Sequence, residues 1–532
     1  MSVATISAPP LRGSEVPGAK LVAALAGRLP PPVQSIETHL SWVLLAGEHA
    51  VKLKKPVKLP FADFSTLDLR RRACEEELRL NRRTAPGLYE AVVPITGTLE
   101  EPTLGGYGPP LEWAVLMHRF DQEALFDRMA AARTLRPEHV DDLATVTAGL
   151  HAGAPRAATG SPFGTHAEIR AEAAGNFAAL LDPDLGLVND PRLSRLHTWT
   201  LRAADRLRET FARRLAEGFV RECHGDLHLA NVALLDGRAV PFDAIEFNEL
   251  FRWIDVMSEA AFPAMDLASR GLPALSHRFV DAYLARTGDY GGVAVLRYYL
   301  AHRALVRAKV AAIHGHAQGV DAATRADRDR VVCRHLDLAA NVIEPGRPAL
   351  IVMQGLSGSG KTAISQVLLE AIGAIRIRSD VERKRLFGLS ASDRSHSAPG
   401  AGLYTPEADA RTQERLVEAA GQVLAARHVA IVDATNHKRE SRERLARLAR
   451  ERDVPFAIVA CEAPDAVLRE RVGRRNTEGL DASEADLAVL DRQIAQAEPL
   501  YGEGLDHVVI VDGVEGLKRP DRMVLQVLRQ VA

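Results

Sequence analysis

Cysteine is scarce in this sequence, with four among 532 residues: Cys74, Cys223, Cys333 and Cys461. Their wide spacing excludes a disulfide-rich scaffold and a zinc knuckle built from a C-x-x-C pair, and it fits a reducing cytosol. Long apolar runs are also missing, since none approaches the roughly 20 residues that span a bilayer. Residues 1–20 lack the continuous apolar stretch of a secretion signal. We therefore expect a cytoplasmic protein that makes no membrane contact.

An excess of charge of one sign is missing too. The 67 Lys and Arg residues oppose 69 Asp and Glu residues, so the formal net charge is -2. No overall basic field attracts nucleic acid, although the near-zero net charge does not exclude a local basic patch. Hydrophobic residues make up 47% of the chain and charged residues 26%, which is the balance of a folded globular protein. A chain of this length is expected to form about three compact units, or two of which one is bilobal.

The first part of the chain has the pattern of a small sheet that carries one helix. Residues 67–83 have helical spacing, and strands are predicted at 37–58 (a strand pair), 92–95, 98–99 and 113–117. From about residue 118 the pattern is mainly helical, interrupted by short apolar runs at 220–223, 232–235 and 239–242. We therefore expect an N-terminal extension at 1–36, a sheet-bearing lobe at 37–117 and a helical lobe at 118–343.

The predicted secondary-structure pattern changes after Glu344-Pro-Gly-Arg-Pro348, which we interpret as a linker. Beyond it, helices beginning at Lys361 and Arg439 alternate with predicted strands at 349–354, 375–377, 429–432, 456–460 and 508–511. Such alternation predicts an α/β domain with a parallel sheet over residues 349–532.

The strongest motif lies at the start of this second domain. Gly355-Leu-Ser-Gly-Ser-Gly-Lys361-Thr362 fits the phosphate-binding pattern G-x-x-x-x-G-K-[ST], between an apolar strand and a helix. Backbone N–H groups of such a loop wrap phosphate oxygens, and the helix N-terminus adds a positive dipole. Lys361 would bridge the β- and γ-phosphates of ATP, and Thr362 would ligate Mg²⁺. The loop residues predicted to bind nucleotide are Gly355, Ser357, Gly358, Ser359, Gly360, Lys361 and Thr362.

Other residues of this domain are candidates for handling the γ-phosphate. Asp433 ends an apolar strand at the position that usually supports the Mg²⁺ shell. Asp380 follows a short strand and is a candidate base for the attacking hydroxyl, and Arg383 is a candidate acceptor ligand. Charge on the transferring group would be neutralised by Arg471, Arg474 and Arg475, for which a solvated helix face is the alternative interpretation.

Residues 349–512 resemble the zeta-toxin-like and polynucleotide-kinase-like P-loop kinases. The resemblance rests on the phosphate loop, Arg378-Ser-Asp380-x-x-Arg383-Lys384, Asp433-Ala-Thr-Asn436 and the arginines at 471–475. It implies phosphoryl transfer to a hydroxyl group rather than motor-type hydrolysis. Relatives act on nucleic-acid 5′ ends, nucleotide sugars, antibiotics and small metabolites, so the resemblance does not name an acceptor.

A second catalytic motif lies in the helical lobe, at His224-Gly-Asp226-Leu-His228-Leu-Ala-Asn231. Asp226 and Asn231 have the spacing of the kinase catalytic loop H-R-D-L-x-x-x-N, and Asp243 follows one strand later. In that chemistry one carboxylate deprotonates the acceptor hydroxyl, whereas an amide and a second carboxylate hold Mg²⁺ against the ATP phosphates. We assign the first role to Asp226 and the second to Asn231 and Asp243. His224 is interpreted as a brace of the loop.

The partner groups for this motif are expected upstream, in the sheet-bearing lobe. Lys52 is the candidate phosphate-binding lysine, at A-x-K spacing as in V-A-I-K, and Lys54 on the same side of the strand is its competitor. Glu77 is our choice for the helix glutamate that pairs with the lysine, with Glu75 and Glu76 left open. Residues 117–120 would form the hinge between the lobes.

Residues 37–343 resemble the aminoglycoside-phosphotransferase and choline-kinase branch of the protein-kinase-like fold, through H-G-D-x-H-x-x-N and the following Asp243. The whole chain resembles bacterial fusions known as bifunctional aminoglycoside phosphotransferase/ATP-binding proteins. Three departures from the kinase pattern stand out: there is no glycine-rich G-x-G-x-x-G loop, D-F-G is replaced by Asp243-Ala-Ile245, and Gly225 replaces the Arg of H-R-D. The predicted fold is an α+β bilobal kinase-like domain followed by an α/β P-loop domain.

We therefore predict a two-module kinase that uses ATP and Mg²⁺ to phosphorylate a hydroxyl of a small molecule: a sugar, an amino sugar or a nucleoside-like alcohol. Acidic residues after Asp243 (Glu246, Glu249, Asp255 and Glu259) are candidates for attracting a cationic acceptor, although for Asp255 we favour a cap or brace of the helices in this lobe. Two alternatives remain. One is a kinase of nucleic-acid 5′-hydroxyl ends, and the other is a P-loop kinase with an inactive, regulatory kinase-like module. The sequence names neither the acceptor nor the oligomeric state.

Overall fold

The computed structural model describes residues 17–317, 320–391, 393, 395, 402–478, 485–500, 507–513 and 516–531. The chain divides into two compact units. The N-terminal unit comprises the residues up to Gly271 together with Val295–Ile343. The C-terminal unit comprises Leu272–Ala294 and the residues from Glu344 onward.

The N-terminal unit begins with an antiparallel sheet of six strands in the order β1-β2-β3-β8-β6-β7. One face of this sheet packs against α2, where Cys74 lies among Val43, Leu45 and Val115. This confirms the predicted sheet and the predicted helix over residues 67–83. The elements are α1 (Pro17–Ala26), β1 (Val33–Glu37), β2 (Ser41–Ala46), β3 (His49–Lys54), β4 (Lys58–Leu59), β5 (Ala62–Asp63), α2 (Leu67–Asn81), β6 (Tyr89–Gly97), β7 (Pro102–Leu104) and β8 (Glu112–His118).

Two details of this lobe differ from the sequence analysis. The predicted strand at 98–99 is wrong, because Thr98 forms the turn between β6 and β7: its hydroxyl accepts the N–H of Glu101 at 3.1 Å. The lobe also includes residues that were assigned to an N-terminal extension. β1 pairs with β2, and Leu21 and Leu25 of α1 are buried beside Trp42. The apolar side chains of α1 therefore cover the sheet face opposite to α2.

The rest of the N-terminal unit is mainly helical, as predicted. β10 and β11 pair across Asp236-Gly237, both with positive φ (49° and 73°), so these two residues form a tight hairpin turn. The elements are α3 (Phe126–Ala131), α4 (Pro137–Gly153), α5 (His166–Leu180), α6 (Pro191–Arg206), α7 (Arg208–Ala216), β9 (Val220–Glu222), β10 (Val232–Leu235), β11 (Arg238–Pro241), α8 (Glu249–Arg252), β12 (Trp253–Asp255), α9 (Val256–Ser269) and, after α10 (Pro273–Thr287) of the C-terminal unit, α11 (Val293–Gly315) and α12 (Ala322–Val342).

The C-terminal unit contains a sheet of five parallel strands in the order β14-β15-β13-β16-β17, which confirms the predicted parallel α/β domain. The central strand β13 is fully buried except at its last residue, as expected for a sheet covered on both faces. The elements are β13 (Leu350–Gln354), α13 (Lys361–Ile372), β14 (Ile375–Arg378), α14 (Ser379–Leu386), α15 (Pro406–Ala425), β15 (Ala430–Asp433), α16 (Arg439–Glu451), β16 (Phe456–Glu462), α17 (Asp465–Glu478), α18 (Leu487–Gln496), β17 (Val508–Asp512) and α19 (Pro520–Val531).

A segment from before the linker also belongs to the C-terminal unit. Helix α10 lies against α13 and β14, and Asp281 accepts a hydrogen bond from Arg376 of β14 at 2.8 Å, with both side chains buried. Tyr290 donates to the buried Glu382 of α14 at 3.3 Å. The sequence analysis placed these residues in the helical lobe by their order along the chain, whereas their buried polar contacts are with the parallel sheet domain.

Among the residues that the structure describes, no helix has the length and apolar composition required to cross a membrane.

Candidate active sites

The motif around Asp226 forms a buried loop between β9 and β10, and two carboxylates of α9 hold its backbone. Glu259 accepts the N–H of His224 with both oxygens, at 2.7 and 2.8 Å, and the N–H of Gly225 at 3.3 Å. Asp266 accepts the N–H of Leu229 at 3.0 Å. Both carboxylates are buried, so the loop is positioned by groups that water does not reach.

Sequence reasoning did not find this brace. It treated Glu259 as a group that attracts a cationic acceptor, which is wrong because the carboxylate is fully buried and occupied by backbone N–H groups. A signal was present in the sequence, since Glu259 and Asp266 lie seven residues apart in an otherwise apolar helix. That spacing puts both carboxylates on one helix face.

Asp226 is buried and held in its ionised form. The side-chain amide of Asn231 donates to its carbonyl at 3.0 Å and to its carboxylate at 3.2 Å, and His228 Nε2 lies 3.4 Å from the carboxylate. Burial by itself raises the pKa of Asp226, but the interaction with His228 beside it lowers the pKa to about 2. The predicted base is therefore ready to accept a proton at neutral pH.

His224 supports the loop, as the sequence analysis expected. Its Nε2 hydrogen-bonds to the carbonyl of Phe242 at 2.8 Å, and its Nδ1 accepts the N–H of Asp226 at 3.3 Å. Burial lowers the pKa of His224, so the neutral ring is favoured. A neutral ring with its proton on Nε2 satisfies both contacts.

The two candidate lysines of β3 share one carboxylate. Lys52 Nζ donates to Glu77 at 2.7 Å and to Asp243 at 2.5 Å. Lys54 Nζ donates to the other oxygen of Glu77 at 2.5 Å and also to Glu246. Among the three candidate glutamates the structure therefore places Glu77 against Lys52, and only Lys52 also reaches Asp243. Glu246 is paired with Lys54 in the same buried group and is not exposed to an incoming acceptor.

The charges in this cluster stabilise one another. Burial by itself raises the pKa of Glu77, but Lys52 and Lys54 lower it to about 2. Burial by itself lowers the pKa of Lys52, but Asp243 and Glu77 raise it well above its usual value. Lys52 and Glu77 are therefore both charged at neutral pH, and their burial leaves no solvent to screen the pair.

The predicted metal ligands Asn231 and Asp243 each present an oxygen without a partner. Asn231 Oδ1 and Asp243 Oδ2 are buried and form no hydrogen bond with any described residue. Buried polar atoms of this kind require an explanation, and Mg²⁺ prefers such oxygen ligands. The backbone of Asp243 is held at a φ of 63°, and its N–H donates to the hydroxyl of Tyr89 at 3.2 Å. These two residues therefore fit a divalent metal ion.

We expect Glu77→Gln to flatten the acid dependence of stability in the N-terminal unit. The pKa of Glu77 is about 2 in the folded protein, against an ordinary value of 4.5. Its stabilising contribution is therefore complete above about pH 4.5 and is lost as the pH falls towards 2, by on the order of 2–3 kcal/mol.

The measurement is urea unfolding followed by tryptophan fluorescence at several pH values between 7 and about 3. All four tryptophans (Trp42, Trp113, Trp199 and Trp253) lie in the N-terminal unit, so the signal reports this unit alone. The control is Glu75→Gln, because Glu75 is half exposed and, within the described part of the chain, its ion pair is with the equally exposed Arg71. An equal loss of stability on acidification in wild type and Glu77→Gln would contradict the prediction.

In the C-terminal unit, the phosphate-binding motif forms a tight loop between β13 and α13. Gly355 has a φ of 145°, and a Cβ atom there would lie 2.5 Å from the carbonyl oxygen of Cys461. Gly358 has a φ of 84°, and a Cβ atom there would lie 2.8 Å from the carbonyl oxygen of Leu468. Only glycine fits both positions, because the conformation and the space exclude a side chain.

Two groups of this loop make contacts that a nucleotide phosphate would replace. Lys361 Nζ donates to the carbonyl of Leu356 at 2.9 Å, and the N–H of Ser357 donates to the side chain of Gln493 at 2.9 Å. The hydroxyl of Ser359 is buried and has no hydrogen-bond partner among the described residues. The remaining cradle residues Gly360 and Thr362 lead into α13, with Gly360 at its N-terminal boundary.

The predicted acidic residues of this unit lie at the carboxyl ends of neighbouring strands. Asp433 ends β15, is buried, and accepts a hydrogen bond from Ser365 of α13 at 3.2 Å. Asp380 is half-buried in the first turn of α14, directly after β14. Since β14 and β15 are parallel neighbours, both carboxylates lie at the same edge of the sheet as the phosphate loop. Ligands of open α/β sheets bind at this edge.

The four predicted arginines have different surroundings. Arg471 donates to the carbonyl of Gly358 at 3.1 Å, so it lies against the phosphate loop. Arg383 pairs with Asp409 at 2.6 Å and donates to the carbonyl of Leu403 at 2.8 Å. Arg474 is exposed. The side chain of Arg475 lies outside the described residues.

Part of the C-terminal unit matches a known protein family. Residues 350–500 fit the family described as "AAA domain". Together with the loop geometry, this match confirms the predicted P-loop nucleotide-binding domain and supports the prediction of an ATP-dependent kinase.

The chain is also similar to proteins from two mycobacteria. It is 29% identical over 463 residues to a protein of Mycobacterium tuberculosis (strain H37Rv) and to one of Mycobacterium bovis, each described as uncharacterized. The alignment covers 86% of this chain and 90% of each relative. The similarity therefore extends over most of this chain and most of each relative, but the descriptions of the relatives name no activity.

Among solved structures, a choline/ethanolamine kinase family protein from Mesorhizobium loti matches with 14% identity and a TM-score of 0.35, over 61% of this chain and 97% of that one. A gluconokinase from Sinorhizobium meliloti 1021 matches with 25% identity and a TM-score of 0.25, over 35% of this chain and 94% of that one. Neither likeness identifies an acceptor for this chain.

Proposed function

We propose that this chain is a two-site phosphotransferase that moves the γ-phosphate of ATP to a hydroxyl group of a small molecule. The observation that carries the proposal is the buried group formed by Asp226, Asn231, Asp243 and Lys52. It contains two side-chain pairs, Asp226 with Asn231 and Lys52 with Asp243, and the N–H of Phe242, next to Asp243, donates to the carbonyl of Asn231 at 2.9 Å. The group thus supplies an ionised carboxylate, a charged ammonium and two oxygen atoms without hydrogen-bond partners among the described residues.

In the N-terminal unit, each of these groups has a separate task. Lys52, held by Glu77, is positioned to bind an ATP phosphate. Asp226 accepts the proton of the acceptor hydroxyl as the hydroxyl oxygen attacks the γ-phosphorus and ADP leaves. Asn231 and Asp243 are the residues that would hold Mg²⁺, which when bound supplies positive charge against the phosphates. The brace from Glu259 and Asp266 keeps the loop in place during the transfer.

In the C-terminal unit, the phosphate loop and Lys361 would bind the nucleotide phosphates, and Thr362 with Asp433 would hold a divalent ion. Asp380 is the proposed base. Arg471 lies beside the loop and is the best placed of the arginines to neutralise the transferring group, because it already contacts Gly358. Arg383 is better placed to support the segment around Leu403.

The acceptor class follows from charge and from the neighbouring groups. A near-neutral chain with few aromatic residues does not favour an extended nucleic-acid surface, so we propose a sugar, amino sugar or nucleoside-like alcohol. Of the acidic residues expected to attract a cationic amine, Glu246 and Glu259 are buried in other contacts. This favours a neutral sugar or nucleoside-like alcohol over an amino sugar at the N-terminal site.

The test is transfer of radiolabelled γ-phosphate from ATP to a panel of acceptors by the full-length protein. The panel contains sugars, amino sugars, nucleosides and an oligonucleotide with a 5′-hydroxyl. We expect labelled product with at least one small molecule and none with the oligonucleotide. Transfer to the oligonucleotide alone, weakening steeply with added salt, would instead identify a nucleic-acid end kinase. Release of inorganic phosphate without any labelled acceptor would contradict phosphotransfer.

A further inference from the structure

Three side chains with metal-binding groups, none of which was assigned a catalytic or nucleotide-binding role, meet on the sheet of the N-terminal unit. His49 begins β3 and His118 ends β8, and these two residues are direct partners across the two strands. Glu90 lies on β6, the other neighbour of β8, at an irregularity where Tyr89 pairs with Met117 but Ala91 pairs with Leu116. The irregularity makes Glu90 the extra residue of a bulge, and bulges commonly redirect a side chain.

The distances within this group match the spacing of ligands around a small metal ion. Glu90 Oε1 lies 3.3 Å from His49 Nε2 and 3.2 Å from His118 Nδ1, and the three ligand atoms all lie within 4.8 Å of one another. Two ligands of a tetrahedral ion with bonds of about 2.0–2.1 Å lie roughly 3.3 Å apart. The two measured separations agree with this value.

Hydrogen bonding does not account for the arrangement. Glu90 Oε1 is buried from solvent and accepts no hydrogen bond from any described residue, although one nitrogen of each imidazole lies within ion-pair distance of it. The rings of His49 and His118 lie side by side, with centroids 5.9 Å apart and planes inclined by 24°. The rings thus bring one nitrogen each to a single carboxylate oxygen, as three ligands do around an ion.

We propose that His49, Glu90 and His118 form a binding site for a transition-metal ion of the Zn²⁺ class. Two imidazoles and one carboxylate suit Zn²⁺, Ni²⁺ or Cu²⁺, whereas Mg²⁺ prefers oxygen ligands. The site is therefore distinct in chemistry from the proposed ATP-dependent centres. Three protein ligands leave a fourth position for water or another ligand.

The position of the site gives it a structural consequence. Its ligands come from three adjacent strands, so a bound ion would cross-link β3, β8 and β6 at one end of the sheet. The chain leaves the sheet directly after His118, where the N–H of Arg119 donates to the carbonyl of Glu48 at 2.7 Å. A bound ion would therefore stabilise the segment that connects the sheet to the helical lobe.

The test is isothermal titration of Zn²⁺ into the full-length protein after treatment with a chelator. We expect His118→Ala to lose one equivalent of bound Zn²⁺, or to bind it at least 10- to 100-fold more weakly, since even outer groups of a metal site contribute that much. His118 is exposed, so the alanine is tolerated structurally. The matched control is His166→Ala, because His166 pairs with a single carboxylate, Asp205, at 3.1 Å. Equal binding by wild type and His118→Ala overturns the proposal.

A second measurement separates this site from the thiols. Cys333 is exposed, and Cys223 lies in a buried group with His151 and Glu259. Co²⁺ bound to nitrogen and oxygen ligands lacks the near-ultraviolet charge-transfer band of a cobalt thiolate. We expect Co²⁺-loaded wild type to show visible absorption without the near-ultraviolet thiolate band. In Glu90→Gln we expect the visible absorption to be lost. Visible absorption that is unchanged in Glu90→Gln, or that comes with a thiolate band, counts against the site.

Discussion

Replacing Lys361 by alanine is expected to lower phosphoryl transfer by the C-terminal unit by about 10²–10³-fold. Lys361 is the one ammonium that the phosphate loop places at the start of α13, and its Nζ contacts the loop carbonyl of Leu356. Its charge would stabilise the negative charge that shifts onto the leaving and transferred phosphates. Loop backbone contacts are left intact by the change, so ATP binding should weaken less than turnover.

The measurement for Lys361→Ala is steady-state phosphoryl transfer in an Asp226→Asn background, which removes the proposed activity of the other unit. The matched control is Lys438→Ala, an exposed lysine at the N-terminal boundary of α16. If Lys361→Ala leaves the rate of phosphoryl transfer unchanged, the C-terminal unit does not transfer phosphate, even if it binds nucleotide.

Asp226→Asn is expected to reduce transfer by the N-terminal unit by about 10²–10⁴-fold, with little change in the KM for ATP. The substitution keeps the shape of the side chain but removes the atom that accepts the acceptor's proton. The pKa of Asp226 is about 2, so wild-type activity should show no loss between pH 5 and 8 that is due to this group. The residual rate of the variant should likewise not depend on pH through residue 226.

The control for Asp226→Asn is Asp236→Asn, in the hairpin between β10 and β11. Asp236 has a φ of 49°, which asparagine also adopts readily. The assay is run in a Lys361→Ala background with the acceptors identified by the labelling panel. If every activity survives Asp226→Asn and disappears with Lys361→Ala, the N-terminal unit is a regulatory module and the two-site proposal is wrong.

Much of both candidate sites was predictable because each depends on a contiguous stretch of chain. Gly355–Thr362 specifies a phosphate loop, because wrapping a phosphate needs successive backbone N–H groups and glycines where the loop touches Cys461 and Leu468. Asp226 and Asn231 are five residues apart and meet through a loop closed on itself. Local spacing determines such contacts, so the sequence carries them.

Contacts between distant segments were less predictable. Glu75, Glu76 and Glu77 are adjacent in the sequence, yet only Glu77 is fully buried against the two lysines of β3. Successive helix residues point in directions about 100° apart, so the choice depends on which face of α2 meets the sheet. In the same way, the carboxylates of α9 brace the loop around Asp226 only because that helix lies behind it.

The sequence by itself therefore determined the two kinase-like motifs, the order of their lobes and the parallel sheet of the second domain, since these follow from local spacing and hydrophobic periodicity. The tertiary structure decided which carboxylate serves Lys52, which carboxylates hold the loop, and that α10 joins the parallel sheet domain through Asp281 and Arg376. It also brought His49, Glu90 and His118 together from three strands. These contacts depend on how elements distant in the chain pack, and no local pattern records that packing.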